Sequence, residues 1–106
     1  MIGQSSHTFQ TFTKSVAVPG TAERLTAFYV PDGGIVSITS RRSNTGNFYL
    51  AETAAKAQSG ARKVMVPGQS REYRVDNTAL IWVDADSATD VLEVSIEGEV
   101  SAQTPT

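Results

Sequence analysis

The final apolar run of the chain alternates cleanly. Leu92, Val94 and Ile96 fall on one parity, and Glu93, Ser95 and Glu97 on the other. That period predicts a strand over Val91–Val100 with one buried and one wet face. Gly98 marks a bulge or the strand's exit. The same period recurs upstream. IVSITSR (Ile35–Arg41) sets Val36 and Ile38 against Ile35, Ser37 and Thr39, and NFYLAE (Asn47–Glu52) sets Phe48 and Leu50 inward and Tyr49 outward. His7–Val18 is rich in Thr, Phe and Val, which favours strand. Its apolar parity shifts between Phe9 and Phe12, predicting a bulge or a change of sheet. Glu23–Val30 reads as a strand with Leu25, Ala27 and Tyr29 on one face.

The stretch from Lys63 to Asp84, KVMVPGQSREYRVDNTALIWVD, organises the chain. Val64 and Val66 lead into Pro67-Gly68, a pair suited to positions i+1 and i+2 of a type II turn. Glu72 to Val75 alternate as a strand with a wet face. ALIWV (Ala79–Val83) is apolar on both parities, as in a strand covered on both sides, and it places Trp82 in the core. Turns are marked at Pro19-Gly20, Ser43–Gly46, Asp76-Asn77 and Asp84–Thr89. Pro31-Asp32-Gly33-Gly34 joins the second and third strands as a hairpin. AETAAKAQSGA (Ala51–Ala61) has helix-forming residues but little length, and reads as a loop holding one helical turn. About eight short strands with a turn roughly every 8–12 residues predict an all-β chain, an antiparallel β-sandwich or small barrel. Residues 1–6 read as a flexible arm, 7–100 as the domain and 101–106 as a polar tail.

A length of 106 residues suits one domain with one core. Net charge is −2 and the pI about 5.2, which argues against a generic nucleic-acid surface. The chain has no cysteine, excluding disulfides, thiolate metal sites and Cys nucleophiles. MIGQSSHTFQ lacks the basic and apolar regions of a secretory signal, and no apolar run approaches the roughly 20 residues of a membrane span. No membrane partner is expected.

Candidate chemistry is sparse. His7 is the lone histidine and has no nucleophile placed beside it; no serine sits in a G-x-S-x-G elbow. No catalytic residue is expected. Asp84, Asp86, Ser87 and Asp90 have spacings that a calcium ion can use, but the loop lacks the glycine and bidentate glutamate of an EF-hand, and tight turns select the same residues. No cofactor or metal is expected. Glu93, Glu97 and Glu99 read as a solvated strand face rather than paired catalytic carboxylates. The basic clusters and their aromatic neighbours are the protein-interaction candidates: Arg41, Arg42, Tyr49, Arg62, Lys63, Arg71 and Tyr73. They suit a polar rim against another protein better than single-stranded nucleic acid.

Three segments carry a resemblance: SNTGNFYLAET, ARKVMVPGQSREYRV and NTALIWVDADSATDVLEVSIEGEV, together spanning about residues 43–100. Their order of an N-x-G, an apolar strand, a PG-Q-S turn, an L-I-W-V strand, an Asp/Ser/Ala turn and a V-x-V-x-x-E strand resembles small virion proteins of tailed bacteriophages. The resemblance implies a jelly-roll-like β-sandwich acting as a capsid decoration (cement) protein on the outside of the head. It implies the major capsid protein or other virion proteins as partners, and a homo-oligomer, dimer or trimer, with no nucleic acid. Such a protein is made in the host cytoplasm; residues 1–12 or the 101–106 tail would order on binding. The alternative is a tail, fibre or baseplate module that holds sugar or a host surface through Tyr49, Tyr73 or Trp82.

Overall fold

A computed structural model describes residues 6–100, with side chains over 9–98. Residues 1–5 of the expected arm (1–6) and the tail (101–106) lie outside the described residues, as do the side chains of His7 and Glu99; Ser6 is strand. The strands are β1 (Ser6–Lys14), β2 (Glu23–Arg24), β3 (Ile35–Ser40), β4 (Phe48–Ala51), β5 (Lys63–Met65), β6 (Ser70–Tyr73), β7 (Trp82–Ala85) and β8 (Leu92–Val100). One short helix, α1 (Ala54–Ser59), follows β4, and a 3-10 turn covers Thr78–Leu80. The strands form two four-stranded antiparallel sheets, β1-β8-β3-β6 and β2-β7-β4-β5. Of the seven connections, only β4–β5 stays within a sheet; the others cross between them. This is a jelly-roll strand order. The all-β sandwich is as the residue pattern predicts.

The alternation places the core. Val36 and Ile38 of β3 and Leu92, Val94 and Ile96 of β8 are buried from one sheet. Phe48 and Leu50 of β4, Met65 of β5, and Val83 and Ala85 of β7 meet them from the other. Val16, Leu25, Val30 and Ile81 enter from the crossings. Phe12 and Phe28 pack at the margin with ring centroids 5.0 Å apart.

Several local expectations change. β1 pairs with β8 in unbroken register from Ser6↔Val100 to Lys14↔Leu92, so it contains no bulge. Phe9 points outward and is 69% exposed, which accounts for the parity shift. The chain leaves the sheet after Lys14, buries Val16 and joins the other sheet at β2. Residues 6–12 are thus already strand in the isolated chain, not an arm awaiting a partner.

The expected strand over Glu23–Val30 is regular for two residues only. Beyond Arg24 the ladder is interrupted because its partner turns away. Asn77 accepts a hydrogen bond from the Ala79 amide and starts the 3-10 turn. The buried Thr78 side chain fills the gap, accepting from the Phe28 amide and donating to the Thr26 carbonyl. The same turn removes Ala79 and Leu80 from the expected ALIWV strand. Trp82 starts β7 on its outer face, half-buried beneath the Arg24 guanidinium at 5.0 Å, and not in the core. Leu25 is buried while Tyr29 is 68% exposed, so they do not share a face.

Pro31–Gly34 is a crossing and not a hairpin, since β2 and β3 lie in different sheets. Pro67-Gly68 does form a type II turn: the Gln69 amide donates to the Val66 carbonyl at 3.0 Å and Gly68 has φ 87°. That turn also crosses between sheets. AETAAKAQSGA folds further than a loop, because Thr53 caps the helix from the Lys56 amide and Ala57 is buried. Gly98 neither bulges nor ends β8. It is needed because the Gly34 backbone crosses there: a Cβ at residue 98 would lie 2.8 Å from Gly34 Cα.

Gly98→Ala is therefore expected to destabilise the fold by about 1–3 kcal/mol, the usual cost of overpacking. Urea unfolding monitored by circular dichroism measures this; an unchanged midpoint would show that the crossing yields freely.

Candidate interaction surface

One end of the sandwich is built from the β3–β4 loop, the β7–β8 loop and the β5–β6 turn. Two carboxylates join the first pair. Asp90 accepts from the Thr45 amide at 3.0 Å, the Thr45 hydroxyl at 3.3 Å and the Gly46 amide at 2.7 Å. Asp86 accepts from the Asn47 amide at 3.0 Å and from the Tyr49 hydroxyl at 2.8 Å. Asn44 replies from the other loop. Its side chain accepts from the Val91 amide at 2.9 Å and donates to the Val91 carbonyl at 2.8 Å and the Ser40 hydroxyl at 2.9 Å. These residues are small and polar because the turn selects them. Here the two turns also select each other.

Burial opposes the charge on Asp90, but the two amides and the Thr45 hydroxyl outweigh it and hold the carboxyl below its ordinary value. The calcium spacing serves no common site. Asp84 points elsewhere, accepting from the Gly20 amide at 2.9 Å and the Ala85 amide at 2.8 Å. Among the described residues, no three metal-ligating side chains converge.

The seven interaction candidates sort into separate places. Arg41 and Arg42 are exposed at the loop end. Arg41 donates from Nε to Glu93 at 2.9 Å, and Arg42 lies beside Gly68 of the β5–β6 turn. The same turn presents Val66, 49% exposed. Tyr49 and Arg62 stack on the outer face of the second sheet, with the guanidinium 3.9 Å from the ring centroid. Arg62 also donates to the carbonyls of Ala57 at 2.9 Å and Gln58 at 2.6 Å, closing the end of α1. The hydrogen bond to Asp86, together with burial, raises the Tyr49 phenol above its ordinary range; Arg62 opposes this. Lys63 is exposed at the start of β5, an edge strand.

Arg71 and Tyr73 face inward, paired across from Ile38 and Val36. Arg71 Nε and the Tyr73 hydroxyl are buried with no hydrogen-bond partner among the described residues. Burial pushes the Tyr73 phenol up, against the Arg71 charge. Tyr73 lines an apolar depression of about 440 Å³ with Leu50, Val75, Leu80 and Ile81. The structure thus brings together Arg41 and Arg42, and separately Tyr49 and Arg62, but not all seven. Exposed Phe9, Tyr29 and Leu80 were missing from the candidates. The D-N-T capping sequence at Asp76–Thr78 was the available signal for Leu80.

Comparison of the chain with protein-family models, curated proteins and solved structures gave no match.

Asp90→Asn is expected to cost about 1–3 kcal/mol of stability at neutral pH, because the Thr45 and Gly46 amides lose a charged acceptor. The sign with pH follows from the lowered folded value. The contribution is full above the unfolded carboxyl's ordinary pKa of about 3.9 and is lost as pH falls through the lower folded value. Thermal unfolding of both chains from neutral to acidic pH checks this; a gap that persists undiminished at the acid end would refute it.

Proposed function

We propose that this chain is a structural protein of a bacteriophage virion, a capsid decoration or cement protein that binds the outside of the head and reinforces capsomer junctions. Support comes first from the jelly-roll strand order, which recurs in viral capsid proteins but also in lectins and cupins, an analogy of fold and not of site. The resemblance over about residues 43–100 adds the virion context.

The observation that carries the proposal is the state of the loop end. Its carboxylates Asp86 and Asp90 are engaged with backbone amides and Tyr49, while Arg42 and Val66 stay exposed beside one another's turns. A rigid end carrying a cation and an apolar contact suits a protein surface. Cement binding would repeat this modest contact across many shell positions and draw strength from avidity when copies associate.

The sugar-binding alternative fits the geometry less well. Stacking a sugar needs an accessible ring face. The Tyr49 ring is covered by Arg62, the Trp82 ring by Arg24, and Tyr73 packs against the core.

Purified heads of the phage carrying this protein, stripped of it, should rebind the added chain on sedimentation and regain resistance to heat. Arg42→Glu should weaken that rebinding by about tenfold or more. Failure of the native chain to sediment with heads, or rebinding that leaves heat resistance unaltered, would contradict the proposal. Quenching of Trp82 fluorescence by glycans would favour the alternative.

A further inference from the structure

Every open sheet has two edges, and an edge offers unpaired backbone donors and acceptors to another strand. Here the four edges are β1 and β6 in one sheet and β2 and β5 in the other. Three of them are protected. β2 has two residues, both charged. β5 has three, begins at Lys63 and soon meets Pro67. β6 has four, with Arg71 turned inward and Glu72 outward, and inward charge is a known guard against edge pairing.

β1 differs in each respect. It has nine residues in one unbroken register and contains neither proline nor glycine. Over Phe9–Lys14 its one charge is Lys14, at the strand's last position, and that ammonium is held by Glu23 of β2 at 2.6 Å. The outer row Phe9, Thr11 and Thr13 is exposed, with Phe9 at 69%.

We infer that β1 is a self-association edge, and that two copies of this chain pair antiparallel through it to form an eight-stranded sheet. A second copy fits because the edge is close to neutral and does not repel itself. Antiparallel pairing of an edge with itself is isologous and, among the described residues, uses up the one unguarded edge of each copy, so assembly closes at a dimer and does not run on as a fibre.

The register follows from the pleat. To keep the inner and outer faces continuous, opposed residues must share parity, so the two-fold axis passes through a residue. An axis at Gln10, the middle of β1, uses the whole strand. It sets Phe9 opposite Thr11 of the second copy and makes the two Phe9 rings diagonal neighbours, about 7–8 Å apart and within aromatic reach. Each ring then covers the other.

The inference rests on the edge alone and stands apart from the proposed virion role, since its test uses no capsid. The full chain is expected to sediment at twice its 11.3 kDa mass at about 100 µM, where a micromolar Kd fills most sites. Phe9→Lys should raise the dissociation constant by about tenfold or more while leaving the circular dichroism of the fold intact, because that side chain is already exposed. Val64→Lys on β5 should leave the dimer unchanged. The chain has no cysteine, so single substitutions report directly. Gln10→Cys should form an intermolecular disulfide under mild oxidation, and Thr13→Cys should not. A monomer at the higher concentration, a dimer indifferent to Phe9→Lys, or cross-linking through residue 13 instead of residue 10 would overturn the inference.

Discussion

Asp90 holds two consecutive amides from a loop about half the chain away, Thr45 at 3.0 Å and Gly46 at 2.7 Å. The rest of the sandwich depends on fastenings of this kind. Strands that follow one another in sequence mostly lie in different sheets, and strand partners are distant, β1 with β8 above all. Pairing of this sort pays a large loop-closure entropy before it gains contacts. Crossings must therefore be fixed where they meet. Charge-assisted hydrogen bonds from a carboxylate to backbone amides are strong enough to do so. Asp90 and Asp86 fix the β3–β4 crossing to the β7–β8 crossing, and Asn44 completes the contact. At β1–β2 the corresponding fastening is Glu23, whose carboxylate takes Lys14 at 2.6 Å and the Ala17 amide at 2.8 Å. Those two bonds hold Glu23 below its ordinary pKa.

Strands were legible wherever one face met water. β3, β4 and β8 alternate in sequence and alternate in burial, so their inward residues could be named from parity. The type II turn was legible because proline and glycine fix its dihedrals locally. What parity could not convey was which strands share a sheet. Pro31–Gly34 carries every local mark of a hairpin, yet its flanking strands belong to opposite sheets, a choice made by the distant partners β7 and β8. ALIWV misled for a related reason: local capping by Asn77 and Thr78 prevailed over a run of apolar residues, leaving Leu80 54% exposed and moving Trp82 outward. Gly98 was visible as an exception within a strand, but the Gly34 backbone that requires it could not be seen from sequence.

The candidate residues divide by the same logic. Arg62 and Tyr49 also serve the fold: Arg62 closes the end of α1 and covers the Tyr49 ring, and Tyr49 donates to Asp86. The Asp84–Asp90 run is a turn whose Asp84 and Asp90 carboxylates bind amides on two different crossings. Arg42 and Val66 remain exposed at the loop end, and so does Phe9 on β1.

The central claim is that the acidic turns are internal fastenings. Amide hydrogen exchange at Thr45 and Gly46 tests it most directly. Both lie in a loop, yet their hydrogen bonds to Asp90 predict exchange as slow as that of β3 and β8 amides at neutral pH, with protection unaltered by calcium. Exchange at the rate of an open loop, or protection that appears only when calcium is added, would contradict the account.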